Sequence, residues 1–307
     1  MNRNVLIGLV AILLVAPFFL YPVFLMKVLC FALFACAFNL LLGYTGLLSF
    51  GHAAFFGASA YVTGHAAKEW GLPFELAVLS GALTAALLGA AVARLAIRRQ
   101  GIYFAMVTLA LAQMVYFFFL QARFTGGENG LQGIPRGYFL GFIDLNNNMA
   151  LYYVVVAIFL AGFLGVARVV NSPFGQILKA VRENEPRAIS LGYDTDRVKQ
   201  TAFILSAGLA GLAGGVKAIV FQLASLTDAH WHQSGEVVLM TLLGGVGTLL
   251  GPEVGATVVV TLQNRLSEGA LNAYVPVVLG AIFVVCVLAF RRGVVGEALA
   301  FLKRGKE

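Results

Sequence analysis

Residues 171–200 read NSPFGQILKAVRENEPRAISLGYDTDRVKQ, and this charged stretch divides a chain that is otherwise mostly apolar. Apolar runs at 150–170 and 201–222 lie directly on either side of it. A run of about 18 or more apolar residues is long enough to cross a bilayer as a helix. A polar, amphipathic insert between two such runs therefore predicts a loop outside the membrane, within a polytopic helical protein.

The composition of the whole chain agrees with a membrane protein. Of its 307 residues, 60% are apolar and only 11% are charged, and its mean hydropathy is +0.88. Soluble domains are roughly half apolar and a quarter charged. We expect one all-α integral membrane domain over residues 1–307, with the loop at 171–200 inside it. The apolar runs are 5–25, 28–43, 46–66, 72–93, 101–121, 150–170, 201–222, 235–262 and 273–290.

The basic residues indicate which side of the membrane each loop faces. Four regions, at the start of the chain, at 94–99, at 168–199 and at 291–307, hold fifteen of the 21 basic residues but only six of the 14 acidic ones. Because cytoplasmic loops are enriched in Lys and Arg, these regions and both termini are predicted to be cytoplasmic. The parity of crossings then requires the run 235–262 to be two shorter segments, broken near Pro252, which cannot donate a backbone hydrogen bond. This predicts about eight full crossings plus one broken or re-entrant pair, or about ten membrane helices.

Two glycine-punctuated segments stand in opposite halves of the chain, GYTGLLSFGHAAFFGASAY at 43–61 and GGVGTLLGPEVGA at 244–256. Backbone that is not helical survives at membrane depth only where protein buries it or where it lines a wet cavity. Broken helices in corresponding halves are typical of a substrate path between them. We predict that both segments line a translocation path. Its candidate residues are Gly46, Ser49, Gly51, His52, Gly57, Gly247, Gly251 and Glu253.

Several of these polar residues also have a plainer interpretation. The glycines can serve close helix packing alone, and His52 can satisfy a neighbouring helix. Glu253 is a functional hypothesis if it lies within the membrane, and a merely solvated acid if the break lies at the interface. Lys217 comes late in its run, where a lysine can extend toward the interface. His230 and His232 are expected to be surface residues of an external loop.

The sequence carries no pattern of catalysis or energy conversion. It has no G-x-x-x-x-G-K-[ST] motif for nucleotide phosphates and no metal-ligand spacing of cysteines or histidines. We therefore expect a protein that is not an enzyme, with no metal site and no cofactor in this chain. Because the positive charge follows the membrane topology, no nucleic-acid partner is expected. A large polar loop in such a protein suggests a docking surface for a separate motor.

The loop itself reads as two short helices. Ser172 can cap the first helix, and Pro173 suits its first turn. Its apolar residues recur at i, i+3, i+4 and i+7, which predicts one buried face. That face consists of Phe174, Ile177, Leu178 and Val181, with Lys179, Arg182 and Glu183 directed away from it. A second helix is expected at Ala188–Leu191, between Pro186 and Gly192. The alternative is an ordinary amphipathic surface helix.

In three long stretches the chain closely resembles LivM-type permeases, from bacterial ABC importers of branched-chain amino acids. The stretches are NLLLGYTGLLSFGHAAFFGASAYVTG, SPFGQILKAVRENEPRAISLGYDTDRVKQTAFILSAGLAGLAGGVKA and LLGGVGTLLGPEVGA. They follow the same order as in that family, and the resemblance runs from about Phe38 to the end of the chain.

This resemblance implies a permease subunit in a bacterial inner membrane, with a second homologous permease subunit, two ABC ATPase subunits and a periplasmic solute-binding protein as partners. ATP and magnesium would be bound by the ATPases. The function would be to move branched-chain or other hydrophobic amino acids across the lipid bilayer into the cytoplasm by alternating access. The family's coupling segment maps onto residues 172–192. Its ATPase-coupling residues would be Ser172, Pro173, Phe174, Gly175, Lys179, Arg182, Glu183, Asn184 and Gly192.

Other functions remain open from the residues alone. A permease of the same family for urea or short amides is one, because Lys217 and Glu253 depart from the family pattern. A carrier or channel that works without ATP would need coupling-ion ligands inside the spans, and the sequence offers few. An integral membrane enzyme would need clustered catalytic side chains, which the sequence does not contain.

Overall fold

The computed structural model describes residues 3–267, 277–278, 280–282, 284 and 293–297, with side chains from Leu6 onward. Helices dominate this part of the chain. They are α1 (Arg3–Val15), α2 (Pro22–Thr45), α3 (His52–Lys68), α4 (Phe74–Ala96), α5 (Gly101–Gln121), α6 (Asn148–Asn171), α7 (Pro173–Glu183), α8 (Glu185–Ser190), α9 (Thr195–Phe221), α10 (Leu226–Ala229), α11 (Trp231–Gly244) and α12 (Gly251–Ser267). Four two-residue strands are β1 (Leu131–Gln132), β2 (Tyr138–Phe139), β3 (Ile143–Asp144) and β4 (Leu223–Ala224). Short 3₁₀ turns follow α1 and α5.

Helix α2 is the centre of the bundle. It packs against α6, α9, α11 and α12, and nearly every side chain from Met26 to Thr45 is buried. Its sequence, PVFLMKVLCFALFACAFNLLLGYT, is apolar around the whole helix rather than along one stripe. A helix that is hydrophobic on all sides is buried on all sides, so this helix takes the position that its sequence demands.

Helices α3, α4 and α9 pack against one another through small residues. A Cβ placed on Gly211 of α9 would collide with the Cβ of Ala85 in α4, and one on Gly214 would collide with the backbone of Phe56 in α3. Small residues let helix backbones approach closely, and van der Waals packing replaces the hydrophobic drive that is absent between helices in lipid. The backbones of these three helices therefore lie close together.

The predicted apolar runs correspond to helices, with shifted ends. The run 5–25 was wrong as one span, because α1 ends at Val15, Pro17 lies in a 3₁₀ turn, and Pro22 begins α2. Proline suits the first turn of a helix but breaks its interior. Among the described residues, five helices are long and apolar enough to cross a membrane: α2, α4, α5, α6 and α9. The total of about ten stays a prediction, because most of the run 273–290 lies outside the described residues.

The predicted break in the run 235–262 is confirmed. Helix α11 ends at Gly244 and α12 begins at Gly251, and the two helices pack against each other. Gly245 and Gly247 adopt φ values of 126° and 77°, which favour glycine. The chain therefore reverses direction through a six-residue link, residues 245–250.

The bundle has two ends of different construction. One end, called here the α7 face, carries α7 and α8, the last turns of α2 and α6, the start of α9 and the link between α11 and α12. The opposite end, called the strand face, carries the connection 122–147, the strands and α10. There β1 pairs antiparallel with β4, and β2 pairs antiparallel with β3.

Arg136 fastens the long connection to the strand face. Its guanidinium donates to the carbonyl of Val220 at 2.9 Å and to Oδ1 of Asn148 at 2.8 Å. The carbonyl of Val220 belongs to the last turn of α9, where a cation is favoured by the helix dipole. The connection is thus held in place although it contains only short elements.

Candidate coupling site and translocation path

The start of α7 has the local structure that its sequence predicts. The side chain of Ser172 accepts a hydrogen bond from the N–H of Gly175 at 3.3 Å, and Pro173 stands in the first turn. Leu178 and Val181 are buried, as expected for the apolar face. A Cβ on Gly175 would collide with the carbonyl oxygens at the end of α6, so this glycine lets the two helices meet at a sharp corner.

Helix α8 begins earlier than predicted. The sequence suggested Ala188–Leu191, whereas the helix runs from Glu185 to Ser190. The reason is Asn184, whose side chain accepts from the N–H of Arg187 at 3.0 Å and caps the helix, with Pro186 in its first turn. Gly192 follows with a φ of 90° and turns the chain toward α9.

A carboxylate that the sequence did not single out holds α8 in place. Glu185 pairs with Lys199 of α9 at 2.5 Å and accepts from Thr195 at 3.2 Å. It also accepts from the amide of Gln100, just before α5, at 3.2 Å. Lys199 is only 3% exposed. This ion pair joins the two-helix loop, α7 and α8, to α9 of the bundle.

The prediction that Arg182 points away from the bundle is wrong. Its guanidinium donates to the carbonyl of Gly43, near the end of α2, and its Nη1 also lies beside Gly247. The last carbonyls of a helix lack partners within the helix and attract cations, which explains why the long side chain folds back. Lys179 lies over the ring of Tyr44, with Nζ 5.9 Å from the ring centre. Two of the predicted coupling residues thus contact α2 directly.

The link between α11 and α12 is clamped to α2 by one buried amide. Asn39 donates from Nδ2 to the carbonyl of Thr248 at 2.8 Å, and its Oδ1 accepts from the N–H of Gly247 at 2.9 Å. Non-helical backbone groups inside a membrane protein must find such partners. Asn39 was not among the predicted site residues, and its only signal is that it is an amide inside a long apolar run.

The two glycine-rich segments meet at this clamp. A Cβ on Gly43 would lie 2.7 Å from the backbone nitrogen of Gly247, so their backbones are in direct contact. We call this group the α7-face contact, consisting of Asn39, Gly43, Arg182, Gly247 and Thr248. It brings together, from both halves of the chain, part of the predicted path and part of the predicted coupling loop.

The first glycine-rich segment runs from this contact into the bundle. Gly46 ends α2 with a φ of 75°, Ser49 is buried and accepts from the N–H of Gly51 at 3.2 Å, and α3 begins at His52. Deeper in α3, Gly57 packs against Ala229 of α10. Of these predicted path residues, Gly46 is exposed, whereas Ser49, Gly51, His52 and Gly57 are buried.

His52 has the surroundings of a packing residue. It is fully buried, its Nε2 is 2.8 Å from the hydroxyl of Ser206, and the rings of Phe38, Phe55 and Phe203 meet it edge-on. Ser206 in turn donates to the carbonyl of Ala37 at 2.5 Å. The geometry favours the interpretation in which His52 satisfies a neighbouring helix.

Glu253 is a buried acid in the first turn of α12. It is 7% exposed, and its Oε1 has no hydrogen-bond partner within the residues that the structure covers. The solvated interpretation is therefore wrong. Three residues before Gly251, the hydroxyl of Thr248 caps the same helix end, because it accepts the N–H of Gly251 at 3.0 Å.

The prediction that Lys217 extends toward the membrane interface is wrong. Its Nζ is bound by both carboxylate oxygens of Asp228 in α10, at 2.7 and 2.6 Å, and both side chains are largely buried. Asp228 also accepts from Ser225 at 3.2 Å. This pair stands near the strand face, close to the end of α9. His232 is 60% exposed, as expected for a surface residue.

The end of α8 and the residues just after it present apolar side chains that are not among the predicted site residues. Ile189 is 56% exposed, Leu191 68% and Tyr193 43%. They project among charged residues such as Arg187 and Asp194. Exposed apolar groups with a polar rim mark interaction surfaces, so this tip is a candidate contact for a partner at the α7 face.

Comparison with known proteins shows which family the chain resembles. A family model described as the permease component of the branched-chain amino acid transport system matches residues 22–287. The chain is 27% identical, over 273 residues, to the high-affinity branched-chain amino acid transport system permease protein LivM of Escherichia coli (strain K12), and 28% identical over 277 residues to LivM of Salmonella typhimurium. Each alignment covers 81% of this chain and 64% of the relative.

A third relative is named for a different solute. The ribose import permease protein RbsC of Bacillus subtilis is 28% identical over 173 residues, which cover 54% of this chain and 51% of RbsC. The chain thus spans 64% of the length of its LivM relatives, which is less than two thirds. No solved structure gives a significant match. Because the family match extends over most of the sequence, the chain belongs to the permease component family of branched-chain amino acid transport systems, and it is a multi-pass membrane protein.

Proposed function

We propose that this chain is the permease subunit of an ABC importer that moves branched-chain or other hydrophobic amino acids into the cytoplasm by alternating access. Two ATPase subunits, which bind ATP and magnesium, drive it from the α7 face. A solute-binding protein delivers the solute at the strand face, and a second homologous permease subunit completes the path. The α7 face and both termini are cytoplasmic, in a bacterial inner membrane. The family description and the names of the LivM relatives support the solute class.

The observation that carries the proposal is the bond from α7 to the meeting point of the two glycine-rich segments. Arg182 donates to the carbonyl of Gly43 and lies beside Gly247. A displacement of α7 therefore acts on the place where α2 and the α11–α12 link are joined. The link is held to α2 by single hydrogen bonds, each of which contributes about 1 kcal/mol net. A force that a bound ATPase exerts on α7 is therefore able to break these bonds so that others can form.

The ATPase contact in this proposal is the tip of α8. Ile189, Leu191 and Tyr193 supply the apolar anchor, and the charged residues around them supply a polar rim. The Glu185–Lys199 pair keeps the tip rigid relative to α9. Motion of the ATPase would then reach both α9 and, through Arg182, the α7-face contact.

Replacing Arg182 tests the coupling step. In the reconstituted complex, Arg182→Met is expected to reduce ATP-driven uptake about tenfold or more while ATP hydrolysis continues, because a loss of about 1.4 kcal/mol in coupling free energy is a factor of ten. Gln176→Met is the matched control, since Gln176 is exposed on the same helix and is not one of the proposed coupling residues. Equal uptake in both variants would remove Arg182 from the coupling step.

The solute is tested in the same reconstituted system. Leucine, isoleucine and valine are compared with urea and acetamide, and also with ribose, because one relative of this chain is named for ribose import. We expect ATP-dependent uptake of the branched-chain amino acids. Uptake of urea or acetamide instead would change the solute class, and uptake by the chain alone without ATP would favour a secondary carrier.

A further inference from the structure

Helix α5 is the least enclosed of the five long apolar helices. Only 22% of its most apolar 18-residue window is buried, compared with 39% for α4 and 83% for α2. Its largest exposed side chains are Ile102, Tyr103, Met106, Met114, Phe117 and Phe118. A membrane helix with so much exposed surface faces lipid, another protein or a water-filled path.

The exposed face of α4 shows what a lipid-facing helix looks like in this chain. Its large exposed side chains are all leucine, at positions 76, 79, 83, 87 and 95. The polar residues near that face are satisfied within the helix, because Ser80 donates to the carbonyl of Ala77 at 2.7 Å and Thr84 to that of Ser80 at 2.8 Å. In the middle of this face, therefore, no polar side chain is left for the hydrocarbon to accommodate.

The exposed face of α5 differs in both respects. Its large side chains are mainly methionine and aromatic, which are enriched at protein interfaces. In addition, the half-buried Gln113 lies in line with the exposed residues Met106, Ala110 and Phe117, the four positions standing at i, i+4, i+7 and i+11. Within the described residues, the Gln113 amide has no hydrogen-bond partner.

The position of Gln113 makes this amide costly in lipid. It lies about 18 Å along the helix from Gly101, at about 1.5 Å per residue, and so near the middle of the span. An amide without a partner costs several kcal/mol in hydrocarbon, where no water is present to accept or donate a hydrogen bond. Such residues face the interior of a bundle or pair with another polar group.

We propose that the α5 face centred on Gln113 is the surface to which the second permease subunit binds, and that Gln113 forms a hydrogen bond across that interface. This rests on the proposed function, which requires a second permease. An amide both donates and accepts, so it is self-complementary across an axis that relates two subunits of one fold. At the α7 face, the same surface ends in an apolar groove of about 470 Å³, lined by side chains such as Leu48, Phe50 and Ile102. The interface would thus reach the first glycine-rich segment.

Photocrosslinking in native membranes tests this surface directly. Benzoylphenylalanine replaces Gln113 in one variant and Leu83, near the middle of the α4 leucine face, in the matched control. Irradiation is expected to join position 113 to a permease-sized chain, which mass spectrometry identifies as a homologous permease or a second copy, and to give no such adduct at position 83. Equal adducts at both positions, no protein adduct at 113, or an adduct with an ATPase or a binding protein would overturn the proposal.

A second experiment tests the proposed hydrogen bond of Gln113. At equal expression, Gln113→Leu is expected to retain about threefold to tenfold less of the second permease during detergent purification. The reason is that an interhelical hydrogen bond in a membrane contributes a free energy of about this size to association. Gln113→Asn keeps an amide and is expected to retain more of the second permease than Gln113→Leu. If the second permease and the ATPases copurify with the unaltered chain while position 113 gives no adduct, only this interface is wrong. If neither copurifies and uptake needs no ATP, the proposed function fails as well.

Discussion

The two ends of the bundle hold their helices together by different means. At the α7 face, α2 meets the α11–α12 link through one amide, one arginine and two glycine backbones. Near the strand face, α9 meets α10 through the Lys217–Asp228 ion pair, with both charges largely buried. The first contact consists of groups that bond to backbone, and the second of two opposite charges bonded to each other.

This difference indicates which end is easier to rearrange. A single net hydrogen bond is worth about 1 kcal/mol, whereas separating a buried ion pair leaves charges without partners and costs about 3 to 5 kcal/mol. Gly245 and Gly247 also give the link backbone freedom that α10 lacks. We therefore expect the α7-face contact to change during transport, and the Lys217–Asp228 pair to hold α9 and α10 together.

The largest effect is expected from breaking the ion pair. Lys217→Met should lower the free energy of unfolding by about 3 kcal/mol or more, because Asp228 is left buried and unpaired. Chemical unfolding of the purified chain in detergent measures this loss. The double variant Lys217→Met with Asp228→Leu is the control and should recover most of it. If Lys217→Met alone is as stable as the unaltered chain, the Lys217–Asp228 pair does not stabilise the strand face.

A smaller effect is expected at the amide clamp. Asn39→Leu removes both bonds to the link and should cost about 2 kcal/mol, because the N–H of Gly247 and the carbonyl of Thr248 lose their partner. The ratio of uptake to ATP hydrolysis should also change, which is not expected for Lys217→Met. Asn171→Leu is the control, since Asn171 is exposed and bonds only within its own helix. If both asparagine variants give the same ratio, the clamp plays no part in coupling.

The smallest of these effects is expected where the two glycine backbones touch. Gly43→Ala should cost about 1 to 2 kcal/mol, because its Cβ would press on Asn39 and on the nitrogen of Gly247, although alanine favours a helix. Gly165→Ala on α6, where a Cβ meets no atom within 4 Å, should leave stability unchanged or slightly raised. Thermal unfolding of both variants in detergent compares them. Equal midpoints would contradict a close contact at Gly43.

Local features of the site followed from the sequence because their partners are near in the chain. Ser172 and Pro173 start α7 as predicted, and the break between α11 and α12 follows from glycines and a proline at that position. Helix α8 was placed too late because Asn184 was not recognised as its cap. Each of these depends on residues within about one helical turn of one another.

The orientation of Arg182 and the roles of Asn39 and Lys217 were not predictable in the same way. Arg182 bonds to Gly43, which is 139 positions away in the chain, and Asn39 bonds to Thr248, which is 209 positions away. Amphipathic spacing predicts that a long polar side chain lies on the solvent side of its own helix. It gives no information about the end of another helix to which that side chain can bond. Lys217 was interpreted alone because Asp228 lies in a separate short helix.

By itself, the sequence determined that this protein is helical, lies in the membrane and carries a capped, two-helix loop, because hydropathy, charge and capping act over short distances along the chain. Only the tertiary structure decided that the loop bonds to the meeting point of both glycine-rich segments, that Glu253 and His52 are buried, and that Gln113 finds no partner among the described residues. Those facts depend on how separate helices pack, and packing brings together groups that no local pattern relates.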